Sequence, residues 1–322
     1  MRSDGIRVVH DDPMYHLIPY FLTKRYDAMN MITLDIPEAP LRAYMNAKRK
    51  EGKTVSHLAL VLTAYLLTVE KYPALNRFIV GRKIYEHKDI TVSMVVLKPG
   101  TDLDTMSKIR LEPGDDVFVV QDKITSYIEQ NRQQGEANGL DSLMNKLVKH
   151  SWLLSIATGL IRAGDRLGIL PRSLIELSPF HASMLITNLA SIRTNHIYHH
   201  VYQFGTTSIS MAMGNLREIP RKSRDGYVFD RCIPLGVVMD ERIASGHYMA
   251  QAFAQMKKYL ADPTLLERRD RLRNSPAEVE KVAREKYNFV RKGEVVISYP
   301  PEKTPPVPPA GPSSAPLPRK KR

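Results

Sequence analysis

The stretch Gly236-Val237-Val238-Met239-Asp240-Glu241-Arg242-Ile243-Ala244-Ser245-Gly246 decides how this chain is read. Residues 232–239 form an apolar run of strand length, and the run stops at three charged residues. Gly246 suits a tight turn, because only glycine turns there without steric cost. An amphipathic helix is expected over residues 247–260, closed by Asp262-Pro263. Strand, charged corner and helix follow one another within thirty residues.

Outward from that corner, helix and strand signals interleave. Strands are expected at residues 29–36, 78–85, 90–97, 183–189 and 207–213. Helices are expected at 41–50, 54–71 and 115–133, and one or two apolar helices at 140–167. In the 54–71 helix, Val55, Leu58, Ala59, Leu62, Tyr65, Leu66 and Val69 recur at helical spacing. Thr54 is its expected N-cap and Pro73 follows its end. No regular strand–helix repeat emerges, so the expected fold is α/β with a mixed sheet flanked by helices in two layers, not a doubly wound parallel sheet.

Composition narrows the class further. The chain has 322 residues, 43% hydrophobic and 25% charged, enough for one large or two small domains. Cys232 is the single cysteine, so no intramolecular disulfide and no cysteine-based metal site can form. No signal peptide is expected, and the longest apolar stretch, near Trp152, falls short of the roughly 18 to 20 residues that span a bilayer. A cytoplasmic setting is the expectation. Of the net charge of +13, residues 264–322 carry +7, with 14 Lys or Arg against 7 Asp or Glu. No zinc-finger spacing or RNA-reading aromatic signature accompanies that charge, so nucleic acid is not the expected partner.

Three sections are expected: a domain at 1–265, a charged helical extension at 266–298 with a short strand at 294–298, and a disordered tail at 299–322. The tail is proline-rich and ends Arg319-Lys320-Lys321-Arg322, a composition open to a protein partner or to plain solvation. Phosphate-cradling glycine loops, His-Glu-x-x-His and Gly-x-Ser-x-Gly are all absent.

Three segments in order carry a resemblance. They are Tyr72-Pro73-Ala74-Leu75-Asn76-Arg77-Phe78, then Leu185-Ile186-Thr187-Asn188-Leu189, then the opening stretch. Over about residues 15–265 the chain resembles the catalytic domain of the 2-oxoacid dehydrogenase acyltransferases, relatives of chloramphenicol acetyltransferase. The resemblance implies a chloramphenicol acetyltransferase-like fold assembled as a homotrimer, with the active site between neighbouring subunits. It implies transfer of an acyl group between a thioester of coenzyme A and a thiol or hydroxyl acceptor. Acyl-CoA is then a co-substrate, and no permanently bound cofactor is expected. No lipoyl-type domain is expected ahead of the match, so the expectation is a freestanding domain or one that acts in trans.

Acyl transfer needs a base for the attacking acceptor and a fixed donor for the oxyanion. Thr187 stands at the family's donor position, with Asn188 beside it. Glu241 stands where the family has its histidine, and Ser245 where it has a second aspartate, while Asp240, Arg242 and Gly246 match. An ordinary Glu, with a pKa of about 4.3, is a poor base for a thiol at about 8.5. The substitute candidates are His247, at the start of the next helix, and His200, in Tyr198-His199-His200 between two strands. The loss of both motif residues also admits a non-catalytic relative, a trimeric scaffold or acyl-CoA-binding module.

Overall fold

The computed structural model describes residues 2–9, 13–97, 104–133, 151–224 and 226–267. The expected extension beyond 267 and the tail lie outside the described residues, as does the 140–150 part of the expected apolar helices.

In chain order the elements are β1 (Gly5–Arg7), α1 (Pro13–Phe21), β2 (Met29–Pro37), α2 (Glu38–Lys50), α3 (His57–Lys71), β3 (Arg77–Val80), β4 (Lys83–His87), β5 (Ile90–Leu97), β6 (Asp104–Leu111), α4 (Val117–Gln133), α5 (Ser151–Leu167), α6 (Arg172–Leu177), β7 (Met184–Asn188), β8 (Ile209–Met213), β9 (Arg217–Ser223), β10 (Gly226–Asp240) and α7 (Gly246–Ala261). The main sheet runs β2-β10-β8-β7-β5-β6, with β9 paired to the outer half of β10. Strands β5, β7 and β8 are parallel and the other pairs antiparallel, so the sheet is mixed. A small sheet, β1-β4-β3, stands apart from it.

Strand side chains alternate between faces, and here the alternation divides the molecule. Leu34, Ile36, Leu235, Val237, Met239, Met211 and Ile186 all point to one face. There they meet the apolar sides of α2, α3, α4 and α7 in one continuous core. Helix α3 is buried almost all round because it packs between α4 and α7.

The residues between those core positions face the other way: Thr33, Ser210, Ala212, Gly236 and Thr187. A strap formed by residues 194–201 lies over them. Ser210 Oγ donates to the His199 carbonyl, Asn215 N donates to Thr194 O at 3.0 Å, and Thr33 Oγ1 bonds Tyr198 Oη at 2.6 Å. Gly236 is glycine because the strap lies directly on it. A Cβ there would collide with the Ile197 carbonyl oxygen.

Several sequence expectations are corrected locally. The N-cap of α3 is Ser56, whose Oγ accepts from Ala59 N at 3.1 Å, and not Thr54. The expected single strand over 78–85 is two strands, β3 and β4. They are joined at Gly81 and Arg82, both with positive φ (57° and 64°), a mirror-image tight turn of the kind that matches strand twist. Strands β6 and β9, and the outer half of β10, were not expected. No helix among the described residues is long and apolar enough to cross a membrane.

Candidate functional site

The corner after β10 is held by a buried ion cluster. Asp240 is fully buried. Arg242 donates to it twice, from Nε at 2.8 Å and from a terminal nitrogen at 2.7 Å, while the Arg242 backbone N–H donates at 3.1 Å. Asp240 and Arg242 therefore form a buried salt bridge. Arg25 joins it from the other side, with Nε 3.3 Å from Asp240. Arg25 also donates to Tyr202 O and Gly205 O, and its backbone N–H donates to Gln203 at 2.7 Å. One buried carboxylate thus ties the end of β10 to the 202–205 loop. Arg25 carried no signal in the sequence, because an isolated arginine 215 positions away follows no periodicity.

Both substituted motif positions have local structural partners. The carboxylate of Glu241 accepts from Asn30 Nδ2 at 2.8 Å on an exposed surface, and its backbone N–H donates to Ala28 O at 2.9 Å. Ser245 is the N-cap of α7, accepting from Tyr248 N at 3.1 Å. A serine cap of this kind contributes about 1 kcal/mol. His247 is exposed in the first turn of α7, pointing at no partner among the described residues. His200 is exposed on the strap, with its ring stacked on His199 (centroids 5.0 Å apart) and edge-on to Tyr202 (4.7 Å).

Thr187 and Asn188 lie at the C-terminal end of β7. Thr187 is 9% exposed, and its hydroxyl oxygen is buried with no hydrogen-bond partner. Asn188 Oδ1 is likewise buried and unpartnered. Buried polar atoms are nearly always paired, so two orphans side by side on one strand need an explanation.

Within one chain these atoms do not meet the β10 corner. Thr187 aligns with Ala212, and Ala212 aligns with Gly236, four residues short of Asp240. At about 3.3 Å per residue and 4.8 Å per strand, roughly 16 Å separates Thr187 from Asp240. The structure therefore brings Thr187 and Asn188 together but leaves Glu241 and His247 apart from them.

One imidazole escaped the sequence reading. His57 opens α3, and its Nε2 is buried without a partner. Burial lowers its pKa below the ordinary value, against a smaller pull upward from Glu38. It lines a cavity of about 440 Å³ with Ala190, Met213 and Asn215, at the strand end where Asn188 pairs with Met213. It falls inside the stretch 54–71 read as a helix from its apolar spacing, where one polar residue carried no signal.

A second titrating cluster sits under α6. His181 Nε2 lies 3.1 Å from Asp165, which Arg2 also holds at 2.8 Å. Burial alone would raise Asp165, but His181 and Arg2 outweigh it and hold the carboxyl down at about 2. His87 is pushed down to about 3, chiefly by burial, with a partial pull upward from Asp4. The unfolded chain therefore takes up a proton on His87 near pH 6.5, well before the folded chain does. The neutral ring's stability is complete above about pH 6.5 and is lost as pH falls toward 3. The loss amounts to about 2 kcal/mol by pH 5. Urea midpoints at pH 7.5 and pH 5 test this: His87→Gln should remove most of the difference, and an unchanged difference would rule His87 out as its source.

Known structures share this fold. A dihydrolipoamide acetyltransferase of Azotobacter vinelandii matches with a TM-score of 0.52 at 14% identity, over 80% of this chain and 94% of that one. The truncated catalytic core of the 2-oxoacid dehydrogenase multienzyme complex from Thermoplasma acidophilum matches with a TM-score of 0.51 at 13% identity, over 80% and 99%. A probable dihydrolipoamide acetyltransferase from Listeria monocytogenes matches with a TM-score of 0.50 at 14% identity, over 80% and 94%. No family model matches the sequence, and no curated protein matches it. The fold is the chloramphenicol acetyltransferase-like mixed sheet flanked by helices, as expected from the three motifs.

Proposed function

We propose that this protein is an acyltransferase, moving an acyl group between a thioester of coenzyme A and a thiol or hydroxyl acceptor at the interface of a homotrimer. The observation that carries this reading is the pair of buried, unpartnered oxygens on Thr187 and Asn188. A hydroxyl without a partner at rest is available to donate to an oxyanion when one forms. The roughly 16 Å to the β10 corner fits a site completed by a neighbouring subunit. His200 is the proposed imidazole, since the strap presents it to solvent on the sheet's outer side, and positioning of the two substrates adds to the rate.

A second reading is favoured by Glu241 and Ser245. Both already serve the corner, one bonded to Asn30 and the other capping α7. That is what a non-catalytic scaffold or acyl-CoA-binding module would retain.

Turnover of acetyl-CoA against a panel of thiols and alcohols separates the two. Acyl transfer that survives Glu241→Ala and is lost in His200→Ala is the expected result. Tight acyl-CoA binding with no turnover under any acceptor would establish the module instead.

A further inference from the structure

A cleft of about 600 Å³ opens beside the β10 corner but away from Thr187. Its floor holds Arg25 and Arg242, which already share Asp240. Its walls carry Lys24 after α1, Arg82 on the β3–β4 turn, and Arg162 and Arg166 on α5. These four are exposed and form no ion pair among the described residues. The one carboxylate in the lining, Asp165, is already engaged by Arg2 and His181.

A solvated basic helix face would explain Arg162 and Arg166 alone. It does not explain three separate segments converging on one cleft. Arg82 holds a left-handed backbone, φ 64°, where glycine or asparagine is the ordinary choice. The turn rests on α5, so that a Cβ on Gly81 would touch the Arg166 carbonyl at 3.4 Å, and the Arg82 guanidinium lies 5.5 Å over the Tyr20 ring. Arg162 and Arg166 are one helical turn apart, a like-charge spacing that is mutually repulsive. Arrangement and repulsion together describe a site built for an anion that arrives from outside.

We infer that this cleft binds a ligand carrying at least two phosphate groups. Guanidinium forks match phosphate oxygens in pairs. Cations on facing walls exceed what one phosphate can engage, and the volume is that of a small-molecule site. The inference goes beyond acyl transfer and stands without it. Two sources share this chemistry: a soluble diphosphate such as a nucleotide cofactor carries, and a phosphorylated lipid headgroup. Exposed Phe21 on α1 and Trp152 and Leu160 on α5 make the second source worth testing.

The test uses the full chain. Calorimetric titration with inorganic pyrophosphate and with coenzyme A reads the soluble source. Sedimentation with phosphatidylcholine vesicles, with and without phosphatidylinositol bisphosphate, reads the lipid source. Binding in either arm is expected to weaken at least tenfold in the double variant Arg82→Glu/Arg166→Glu. It should stay within about twofold in Lys222→Glu, which makes the same kind of charge change on the exposed β9 strand. The milder Arg162→Gln, with circular dichroism on every variant, keeps the test open if the double variant folds poorly. No binding in any arm, or equal weakening by Lys222→Glu, overturns the inference.

Discussion

Replacing Thr187 by valine should lower kcat for acyl transfer by about 10²- to 10³-fold, or about 2.7 to 4 kcal/mol of transition-state stabilisation. The same change should leave folding stability unchanged or raise it by about 1 kcal/mol. The two halves follow from one fact: the Thr187 hydroxyl is buried and unpartnered in the resting chain. An unpaired buried hydroxyl costs free energy, and a methyl of the same shape removes that cost. A hydroxyl that works only when an oxyanion forms contributes nothing until then. Thr187→Ser keeps the donor and should stay within about tenfold of the native rate. Steady-state kinetics beside urea unfolding checks both halves. A valine variant that turns over at the native rate would remove Thr187 from the mechanism.

That pairing of roles was partly legible in the sequence. The strand over 183–189 was readable because apolar residues surround Thr187, and the family pattern pointed to its hydroxyl. The orphan state was not readable, since it depends on what the neighbouring strands fail to offer. The β10 corner was legible from Asp240 and Arg242, which hold the strand end and the ion pair, whereas Gly246, expected as a turn glycine, is the first residue of α7 with no positive φ, and Ser245 caps the helix. The corner's third member, Arg25, was hidden because tertiary packing alone brings it there. Strand β6 was missed because its core face shows little beyond Ile109 and Leu111. Strand β9 was missed because it pairs only with the outer half of β10 and is largely exposed and charged. Residues 78–85 read as one strand because Arg82 is not a residue that announces a turn. The substitution at Glu241, which decided the chemistry in sequence, decides little in the fold: its side chain bonds only to exposed Asn30.

The residue beside it should behave in the opposite way. Asp240→Asn is expected to destabilise the folded chain by about 3 to 5 kcal/mol. The size comes from what is left behind, not from the strength of the pair. Arg25 and Arg242 are both at most 3% exposed, and Asp240 is the carboxylate that neutralises them. Removing that charge strands two guanidinium groups in the interior. Replacing the whole cluster by apolar residues of similar size would cost far less, because a buried ion pair gains little over good packing. The loss should reach the 202–205 loop as well, since Arg25 holds the carbonyls of Tyr202 and Gly205. Hydrogen exchange at Gly205 N–H should therefore speed up in Asp240→Asn. Glu241→Gln, one position away, should change stability by less than about 1 kcal/mol, as exposed polar contacts do. Urea unfolding at one fixed protein concentration compares the two without interference from assembly. If Asp240→Asn costs no more than Glu241→Gln, the ion cluster does not hold the corner, and the match of Asp240 and Arg242 to the family pattern loses its structural explanation.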